Sequence, residues 1–247
     1  MNALPVWNED FTVRHTEVSR EGNLRIDTFF DYMQEAAANH AANLGCGLAD
    51  LEKHGMMWVL SRLRLRIFRT PGIGERITVT TWPSGVDKLF ATREFILTIG
   101  DEQIAAGSSF WLLLDRARMR PLRVLESLPI PLPDNSGRER VFTDLPKLPR
   151  RECSDPLPLT VTESQIDVNR HMNNARYMEW VDDLFPSAFH REHRLKELLV
   201  CYLAESREGQ TLDLRYDVQE NACVQVDAYR QDQGEDHRVF SARMQFE

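Results

Sequence analysis

The sequence lacks any long hydrophobic segment. No uninterrupted apolar run approaches the roughly 20 residues that a helix needs to cross a bilayer. The N-terminus, MNALPVWNED, also lacks the basic region and the apolar stretch of a secretory signal. We therefore expect no membrane span and no secretion, and we expect a cytoplasmic protein.

Cysteine is scarce, and the four cysteines lie far apart. They are Cys46, Cys153, Cys201 and Cys223. Without a Cys-x-x-Cys pair, this distribution argues against a zinc ribbon, a redox motif and a disulfide framework. We expect four reduced thiols.

Signatures of bound metals and phosphates are also missing. His190 and His193 are spaced to share a helix face, but no third ligand accompanies them, so we interpret them as surface residues. His40 falls in a helical pattern and is interpreted as a polar residue at the rim of an apolar stripe. The glycines near residues 72 to 74 lack the Lys-Ser/Thr of a phosphate loop. We expect neither a metal nor another cofactor.

An excess of positive charge is absent as well. Lys and Arg number 30 against 38 Asp and Glu, a formal net charge of −8. Phosphate binding needs a positive field, so nucleic acid is not the expected main partner. With 42% hydrophobic and 28% charged residues in 247, the composition is that of a soluble folded protein.

Proline is rare outside one segment. Eight of the twelve prolines lie between residues 121 and 158. Because proline donates no backbone hydrogen bond and restricts its predecessor to extended geometry, such a segment favours irregular chain. We predict an N-terminal domain over residues 1–125, a linker over residues 126–155 and a C-terminal domain over residues 156–247.

The first domain shows one long helical pattern followed by strands. A strand is predicted over residues 11–18, and an apolar stripe at helical spacing then runs to Gly45. The stripe comprises Ile26, Phe29, Phe30, Met33, Ala37, Ala41 and Leu44. Four β-rich segments follow, at residues 57–68, 76–82, 89–99 and 103–114.

The same order recurs after the linker. We predict a strand at residues 157–165, a helix at about 174–184, and strands near 199–206, 210–218, 222–230 and 238–246. An offset of 148 residues places Tyr177 on Phe29 and His171 on Asn23. The pattern predicts a duplicated α+β architecture, with a long helix packed on an antiparallel sheet in each half.

A resemblance to a known family is carried by several motifs together. The stretch Asp167-Val-Asn-Arg-His-Met-Asn-Asn-Ala-Arg-Tyr-Met-Glu-Trp-Val-Asp182 resembles the signature of the acyl-acyl-carrier-protein thioesterases of plants and bacteria. In the first half, the segments WVLSRL, PGIGE, TWPSG and SFWLLLD look like the same family. The resemblance implies a tandem double hotdog fold.

The resemblance also implies a function. The family hydrolyses fatty acyl-acyl-carrier-protein (acyl-ACP) to free fatty acid and carrier protein, which ends chain elongation. The implied partner is acyl carrier protein with its phosphopantetheine-linked acyl chain, the N-terminal hotdog binding that chain and the C-terminal hotdog being catalytic. An acyl-CoA thioesterase and a non-catalytic hotdog acyl-binding protein stay open as alternatives. The sequence does not specify the preferred length of the acyl chain. Both a monomer and a homodimer are compatible with the sequence.

Three polar residues near the start of the second helix suit thioester hydrolysis. The reaction needs a group that activates water, donors for the oxyanion and a proton for the departing thiol, and Asp167, Asn169 and His171 supply a carboxylate, an amide and an imidazole. In an extended turn these alternate residues point the same way. The same residues also suit an ordinary helix-capping turn.

The resemblance adds Glu205 as a water-activating carboxylate on a strand of the same half, 34 residues beyond His171. Ser206 stands where many plant members have cysteine, which weakens a cysteine mechanism. Our hypothesis is direct attack by water, with Glu205 or Asp167 as the general base, His171 as an orienting group or acid, and Asn169 on the oxyanion.

Arginines cluster in two places in the first half. They are Arg62, Arg64, Arg66 and Arg69, and then Arg116, Arg118, Arg120 and Arg123. A basic face there would attract an acidic carrier protein. The alternative is that alternating arginines mark the solvent side of a strand.

Overall fold

The computed structural model describes residues 3–151, 156–219, 222–232 and 234–247, so Cys153 lies outside the described residues. The chain divides into two compact units, Met1–Leu145 and Pro146–Glu247. Among the described helices, none is both long enough and apolar enough to cross a membrane.

The first unit is one antiparallel sheet with a long helix. In chain order its elements are β1 (Trp7–Thr12), α1 (Ile26–Leu44), α2 (Leu48–Glu52), β2 (Met56–Ile67), β3 (Arg76–Asp87), β4 (Phe90–Ile99), β5 (Glu102–Asp115), β6 (Arg120–Pro121) and α3 (Val124–Ser127). The strands lie in the order β1-β3-β4-β5-β2, and the short β6 pairs with the end of β5.

Helix α1 contains every residue of the predicted apolar stripe. Phe29, Phe30 and Met33 are completely buried, and the helix contacts β1 and β3. Gly45 ends the helix in the left-handed conformation at φ 80°, and its N–H bonds to the carbonyls of the last turn. This helix was therefore predictable from its spacing and its terminal glycine.

A close approach between α1 and the sheet depends on Gly107 of β5. A Cβ atom at this position would lie 2.9 Å from the carbonyl oxygen of Arg64 and 3.1 Å from the methyl carbon of Met33. A side chain there would force backbone on β2 to move, so glycine sets this spacing.

The second unit repeats the arrangement with a shorter helix. Its elements are β7 (Leu157–Thr160), α4 (Arg176–Asp182), α5 (Ser187–Glu192), β8 (Leu195–Tyr202), β9 (Thr211–Gln219), β10 (Cys223–Asp232) and β11 (Glu235–Phe246). Its strands lie in the order β7-β9-β10-β11-β8, which is the order of the first unit. The predicted α+β duplication is confirmed, although α4 has only about two turns where a longer helix was expected.

The first strand of each half ends earlier than predicted for the same reason, and β1 also begins at Trp7 rather than at residue 11. After β1, the Glu17 carboxylate accepts the N–H of Arg14 at 2.8 Å and closes a turn. After β7, the Gln165 side chain accepts the N–H of Thr162 at 3.1 Å in the same way. These side-chain turns end the strands before residues 18 and 165.

The proline-rich segment between the sheets is anchored to the units rather than free. In the first unit the buried Glu94 carboxylate accepts the N–H of Val141 at 3.0 Å, and the Ser108 hydroxyl accepts that of Phe142 at 3.0 Å. In the second unit Arg238 donates to the carbonyl oxygens of residues 148 and 149, at 2.7 and 2.9 Å.

The first arginine cluster helps to hold this segment. Arg62 donates to the carbonyl of Leu145, and the guanidinium of Arg64 lies 4.3 Å from the centre of the Phe142 ring. Arg66 lies over the same ring. These arginines therefore have partners within their own unit, and the exposed Arg66 still presents its positive charge at the surface.

Candidate active site

The polar cluster lies on a tight loop that leads into α4. A β-bridge joins Ile166 to Met172, and the N–H of Asp167 donates to the carbonyl of His171 at 2.9 Å. At the tip, Arg170 has a left-handed backbone with φ 65°. The loop therefore brings Asp167, Asn169 and His171 together on one short hairpin.

The Asp167 carboxylate organises this loop. Its Oδ1 accepts the N–H of Asn169 at 2.8 Å and that of His171 at 3.4 Å. Its Oδ2 lies 3.5 Å from the Asn169 side-chain amide. An aspartate that accepts backbone N–H groups two residues on is the ordinary way in which this side chain stabilises a turn. Asp167 therefore closes a turn within the loop and does not cap α4, which begins at Arg176.

His171 meets a carboxylate from outside the loop. Its Nε2 lies 2.9 Å from Oε2 of Glu205, and the two side chains are 21% and 33% exposed. The N–H of Met172 donates to the carbonyl of Ser206 at 2.8 Å, which fixes the loop beside the segment that carries Glu205. Glu205 was expected on a strand, but it lies three residues beyond the end of β8. Sequence spacing alone does not predict this pairing.

Two arginines bind Glu205, one at its side-chain carboxylate and one at its main-chain carbonyl. The Arg207 guanidinium lies 2.5 Å from Oε1 of the carboxylate. Arg230 donates to the main-chain carbonyl of Glu205 at 2.9 Å, and Asp232 in turn binds Arg230. Neither arginine was singled out in the sequence, because the pairing depends on the turn between β8 and β9.

The turn before α4 is closed by a side chain that the sequence did not single out. The Asn173 side chain accepts the N–H of Ala175 at 2.8 Å. Asparagine just before a helical pattern is the signal that could have identified it.

Ser206 points into the interior. It is 1% exposed, and its hydroxyl lies beside that of Tyr177 without the geometry of a full hydrogen bond in the part of the chain that the structure describes. Burial raises the pKa of Tyr177 to about 12, and Ser206 offsets only part of that rise. The tyrosine stays protonated near neutral pH, so it cannot act there as a base for Ser206.

Aromatic packing supports the site from the sheet side. The Tyr177 ring stacks on Phe240 with centroids 4.7 Å apart, and Trp180 is buried on the same helix. The Tyr202 hydroxyl donates to the carbonyl of Asn174 at 2.8 Å. Tyr177 and Trp180 are therefore packing residues.

The first unit contains a copy of the site loop. In residues 18–24 the N–H of Ser19 donates to the backbone carbonyl of Asn23 at 2.7 Å. The N–H of Leu24 donates to the backbone carbonyl of Pro71 at 2.8 Å. A β-bridge joins Val18 to Leu24, and Gly22 has the left-handed backbone seen at Arg170.

The loop of the first unit lacks the imidazole and the carboxylate that meet in the second unit. Ser19, Glu21 and Asn23 occupy the places of Asp167, Asn169 and His171, and Thr70 precedes Pro71 as Glu205 precedes Ser206. The imidazole and its carboxylate are therefore present in the second unit and absent from the corresponding loop of the first.

One buried histidine was misinterpreted from the sequence. His40 is completely buried rather than at the rim of α1, and its Nδ1 accepts a hydrogen bond from Arg93 at 3.0 Å. Its Nε2 donates to the carbonyl of Leu4 at 2.8 Å. Burial lowers the pKa of His40 to about 4, so it is neutral at physiological pH. It is a structural group of the first unit.

Metal ligation has no support in the described part of the chain. No group of three or more His, Cys, Asp or Glu side chains is placed to hold an ion within residues 3–151, 156–219, 222–232 and 234–247. His190 and His193 lie at hydrogen-bonding distance from the carbonyl oxygens of Asp182 and Phe189.

Curated relatives match both units. One is the chloroplastic oleoyl-acyl carrier protein thioesterase 2 of Arabidopsis thaliana, 27% identical over 84% of this chain and 61% of its own length. Another is the palmitoyl-acyl carrier protein thioesterase of Gossypium hirsutum, 26% identical over 81% of this chain and 52% of its own. The chain thus spans between half and two thirds of the length of these relatives.

Solved structures match the whole fold. An acyl-ACP thioesterase from Bacteroides thetaiotaomicron is 26% identical, with a TM-score of 0.83, and 98% of each chain is covered. The 12:0-ACP thioesterase from Umbellularia californica has the same TM-score at 22% identity, which supports the fold alone. The expected tandem hotdog fold is confirmed.

Family models settle the membership. The acyl-ACP thioesterase N-terminal domain matches residues 5–130, and the acyl-ACP thioesterase C-terminal domain matches residues 150–247. Together they cover nearly all of the chain, one model for each unit. The protein belongs to the acyl-ACP thioesterase family.

Proposed function

We propose that this protein hydrolyses the thioester of fatty acyl-ACP and releases free fatty acid and carrier protein. The observation that carries the proposal is the contact between His171 Nε2 and Glu205 Oε2 at 2.9 Å, on the half of the molecule whose loop bears the family signature. Family membership and the substrates named for its relatives agree with this substrate class.

Asp167 and Glu205 have different partners, which supports a different role for each carboxylate. Asp167 binds backbone N–H groups of its own loop, so it positions Asn169 and His171. Glu205 contacts the imidazole and is a third exposed, so it can meet a water molecule. We assign the general base to Glu205.

In the proposed reaction, water attacks the carbonyl carbon of the thioester. Glu205 takes a proton as the water oxygen bonds to the carbonyl carbon, and donors at the site, including the Asn169 amide, stabilise the oxyanion. The carbon–sulfur bond breaks as the tetrahedral intermediate collapses. His171 donates a proton to the departing thiolate and regains one from Glu205 across the contact between Nε2 and Oε2, so both groups return to their starting state.

The acyl chain is assigned to the first unit. Its copy of the loop lacks an imidazole and an acid at the positions of His171 and Glu205. A half that keeps the fold without the reacting groups is suited to binding, and the second unit is the catalytic half. Hydrolysis of acyl-CoA remains a second candidate, because Arg62 and Arg64 are engaged with the proline-rich segment.

The test is fatty-acid release from matched acyl-ACP and acyl-CoA substrates of short to long chain length, by wild type and His171→Ala. We expect release from acyl-ACP that is lost in the variant, with the same far-UV circular dichroism. Faster turnover of acyl-CoA would move the assignment to that substrate. Absence of hydrolysis of either donor by folded wild type would indicate a binding protein.

A further inference from the structure

We propose that Arg207 is a positioning residue for Glu205, which holds the carboxylate in the orientation needed to serve both water and His171. The inference rests on the proposed function, since it concerns the same site. It adds a residue that lies outside the signature stretch and that the sequence did not single out.

The two oxygens of the Glu205 carboxylate are used separately. Oε2 contacts the imidazole of His171 at 2.9 Å, and Oε1 contacts the guanidinium of Arg207 at 2.5 Å. A glutamate in a turn has three rotatable side-chain bonds, and a contact at one oxygen alone leaves rotation about the last bond. Contacts at both oxygens fix the plane of the carboxylate.

Arg207 is itself held in place. Its N–H donates to the Gln210 side chain at 2.8 Å, and the N–H of Gln210 donates back to the carbonyl of Arg207 at 3.1 Å. The main chain of Glu205 is fixed by Arg230. The turn between β8 and β9 therefore presents a guanidinium at a defined distance from the carboxylate.

The exposure of Arg207 favours a role in positioning Glu205 over a role in folding stability. The Arg207 side chain is 61% exposed, and ion pairs in such surroundings contribute little to folding stability. A small loss of orientation in a reacting group can nevertheless cost much of the rate. Removal of Arg207 is thus expected to slow the reaction without unfolding the protein.

Charge gives a second signature. The charged and titratable groups that contact Glu205 are His171 from the loop, Arg207 from the turn, and Arg230, whose charge Asp232 offsets. Loss of Arg207 removes one of these charges, so it should change the pH profile of activity, which a purely structural role would leave unchanged.

The experiment compares Arg207→Gln, Arg207→Lys and the control Arg191→Gln with wild type in the full chain. Arg191 is exposed on α5, so the control changes net charge equally. We measure kcat, KM, the pH profile and the thermal midpoint. We expect Arg207→Gln to lower kcat about tenfold with KM within about twofold, as for loss of orientation in the transition state. Lysine should restore part of the loss, and Arg191→Gln should match wild type.

The outcomes are distinguishable. An active wild type with unchanged kcat and pH profile in Arg207→Gln would overturn the inference and leave the function intact. A fall in kcat that follows a fall in the thermal midpoint, with no rescue by lysine, would also overturn it, because that marks a structural role. Inactive wild type would instead overturn the proposed function itself.

Discussion

The two carboxylates near His171 are distinguished by what they bind. Asp167 accepts backbone N–H groups through Oδ1, whereas Glu205 contacts the imidazole ring. Asparagine keeps the acceptor oxygen of aspartate, and glutamine keeps the shape of glutamate without its basicity. Amide substitutions therefore separate a turn-forming carboxylate from a proton-accepting one.

We expect Asp167→Asn to retain activity within about tenfold, and Glu205→Gln to lose roughly 10²- to 10⁴-fold in kcat, the range for removal of a general base. Steady-state hydrolysis of acyl-ACP measures both variants. Asp167→Ala is the control, since it removes the acceptor and should destabilise the loop. A larger loss in Asp167→Asn than in Glu205→Gln would reverse the assignment of the base.

Ser206 is expected to be dispensable for the chemistry. Its hydroxyl is buried beside Tyr177, and no hydrogen bond to His171 or Glu205 is found for it in the described structure. A nucleophilic serine needs an adjacent base. We predict that Ser206→Ala keeps kcat within about tenfold of wild type, well short of the loss expected on removal of a nucleophile. Trapping a covalent acyl-enzyme on Ser206 by mass spectrometry would contradict this prediction.

His40 is expected to make folding stability depend on pH. Its pKa is about 4 in the folded state because burial disfavours the charged ring, against 6.5 for the free side chain. Between these values the unfolded chain binds a proton that the native protein does not, so the free energy of unfolding falls as pH falls from 6.5 towards 4. The slope is at most about 1.4 kcal/mol per pH unit.

Urea unfolding of wild type and His40→Gln between pH 5 and 8 tests this dependence. We expect the variant to be less stable at pH 8, where the native ring is neutral and hydrogen-bonded, but to lose less stability on acidification. An equal slope in both proteins over pH 5 to 6.5 would show that other groups cause the acid sensitivity.

At the scale of elements, the two sheets hold the proline-rich segment with matching pairs. Glu94 on β4 lies opposite Ser108 on β5, and Asp227 on β10 lies opposite Ser241 on β11. In both pairs the serine hydroxyl donates to a completely buried carboxylate. The duplication therefore extends from topology to the buried polar groups that anchor this segment.

Glu94→Gln is expected to loosen the anchored segment in the first unit. The carboxylate accepts bonds from Ser84, Ser108 and Val141, and replacing one acceptor oxygen by a donor leaves buried groups unsatisfied, at a cost of about 1–3 kcal/mol. Hydrogen exchange at residues 140–142 should accelerate. Glu139→Gln changes the same charge at an exposed neighbour. Equal exchange in the two variants would argue against the anchor.

Elements governed by local pattern were predictable, and those governed by distant partners were not. Helix α1 followed from its apolar spacing and Gly45, and each predicted strand overlaps an observed strand, with β1 and β7 as the poorest matches. The early ends of β1 and β7 depend on the side chains of Glu17 and Gln165, which act through turns rather than periodicity.

The site was predictable in part. Asp167, Asn169 and His171 stood out as a local cluster, whereas Glu205 followed only from the resemblance to the family. Its partners Arg207 and Arg230 required the turn geometry after β8. The anchors of the proline-rich segment are far from it in sequence, so composition predicted irregular chain without its contacts.

At the scale of the whole molecule, one topology is used twice and the proposed reacting groups occur in one copy. The net charge of −8 would repel the proposed acidic carrier protein, so the proposal requires a local docking surface. Arg62, Arg64 and Arg66 contact the proline-rich segment, and their substitution would disturb the fold. The exposed turn at residues 116–120 is the better candidate for contact with the carrier protein.

We predict that Arg118→Glu with Arg120→Glu lowers kcat/KM for acyl-ACP roughly tenfold at low salt and less at high salt, because screening weakens the attraction between exposed charges. The same double variant should change kcat/KM for acyl-CoA no more than twofold, since the chemistry and the acyl site are untouched. Arg191→Glu is the matched charge reversal in the second unit. Equal losses on both substrates, or an equal effect of Arg191→Glu, would exclude this turn as the docking surface.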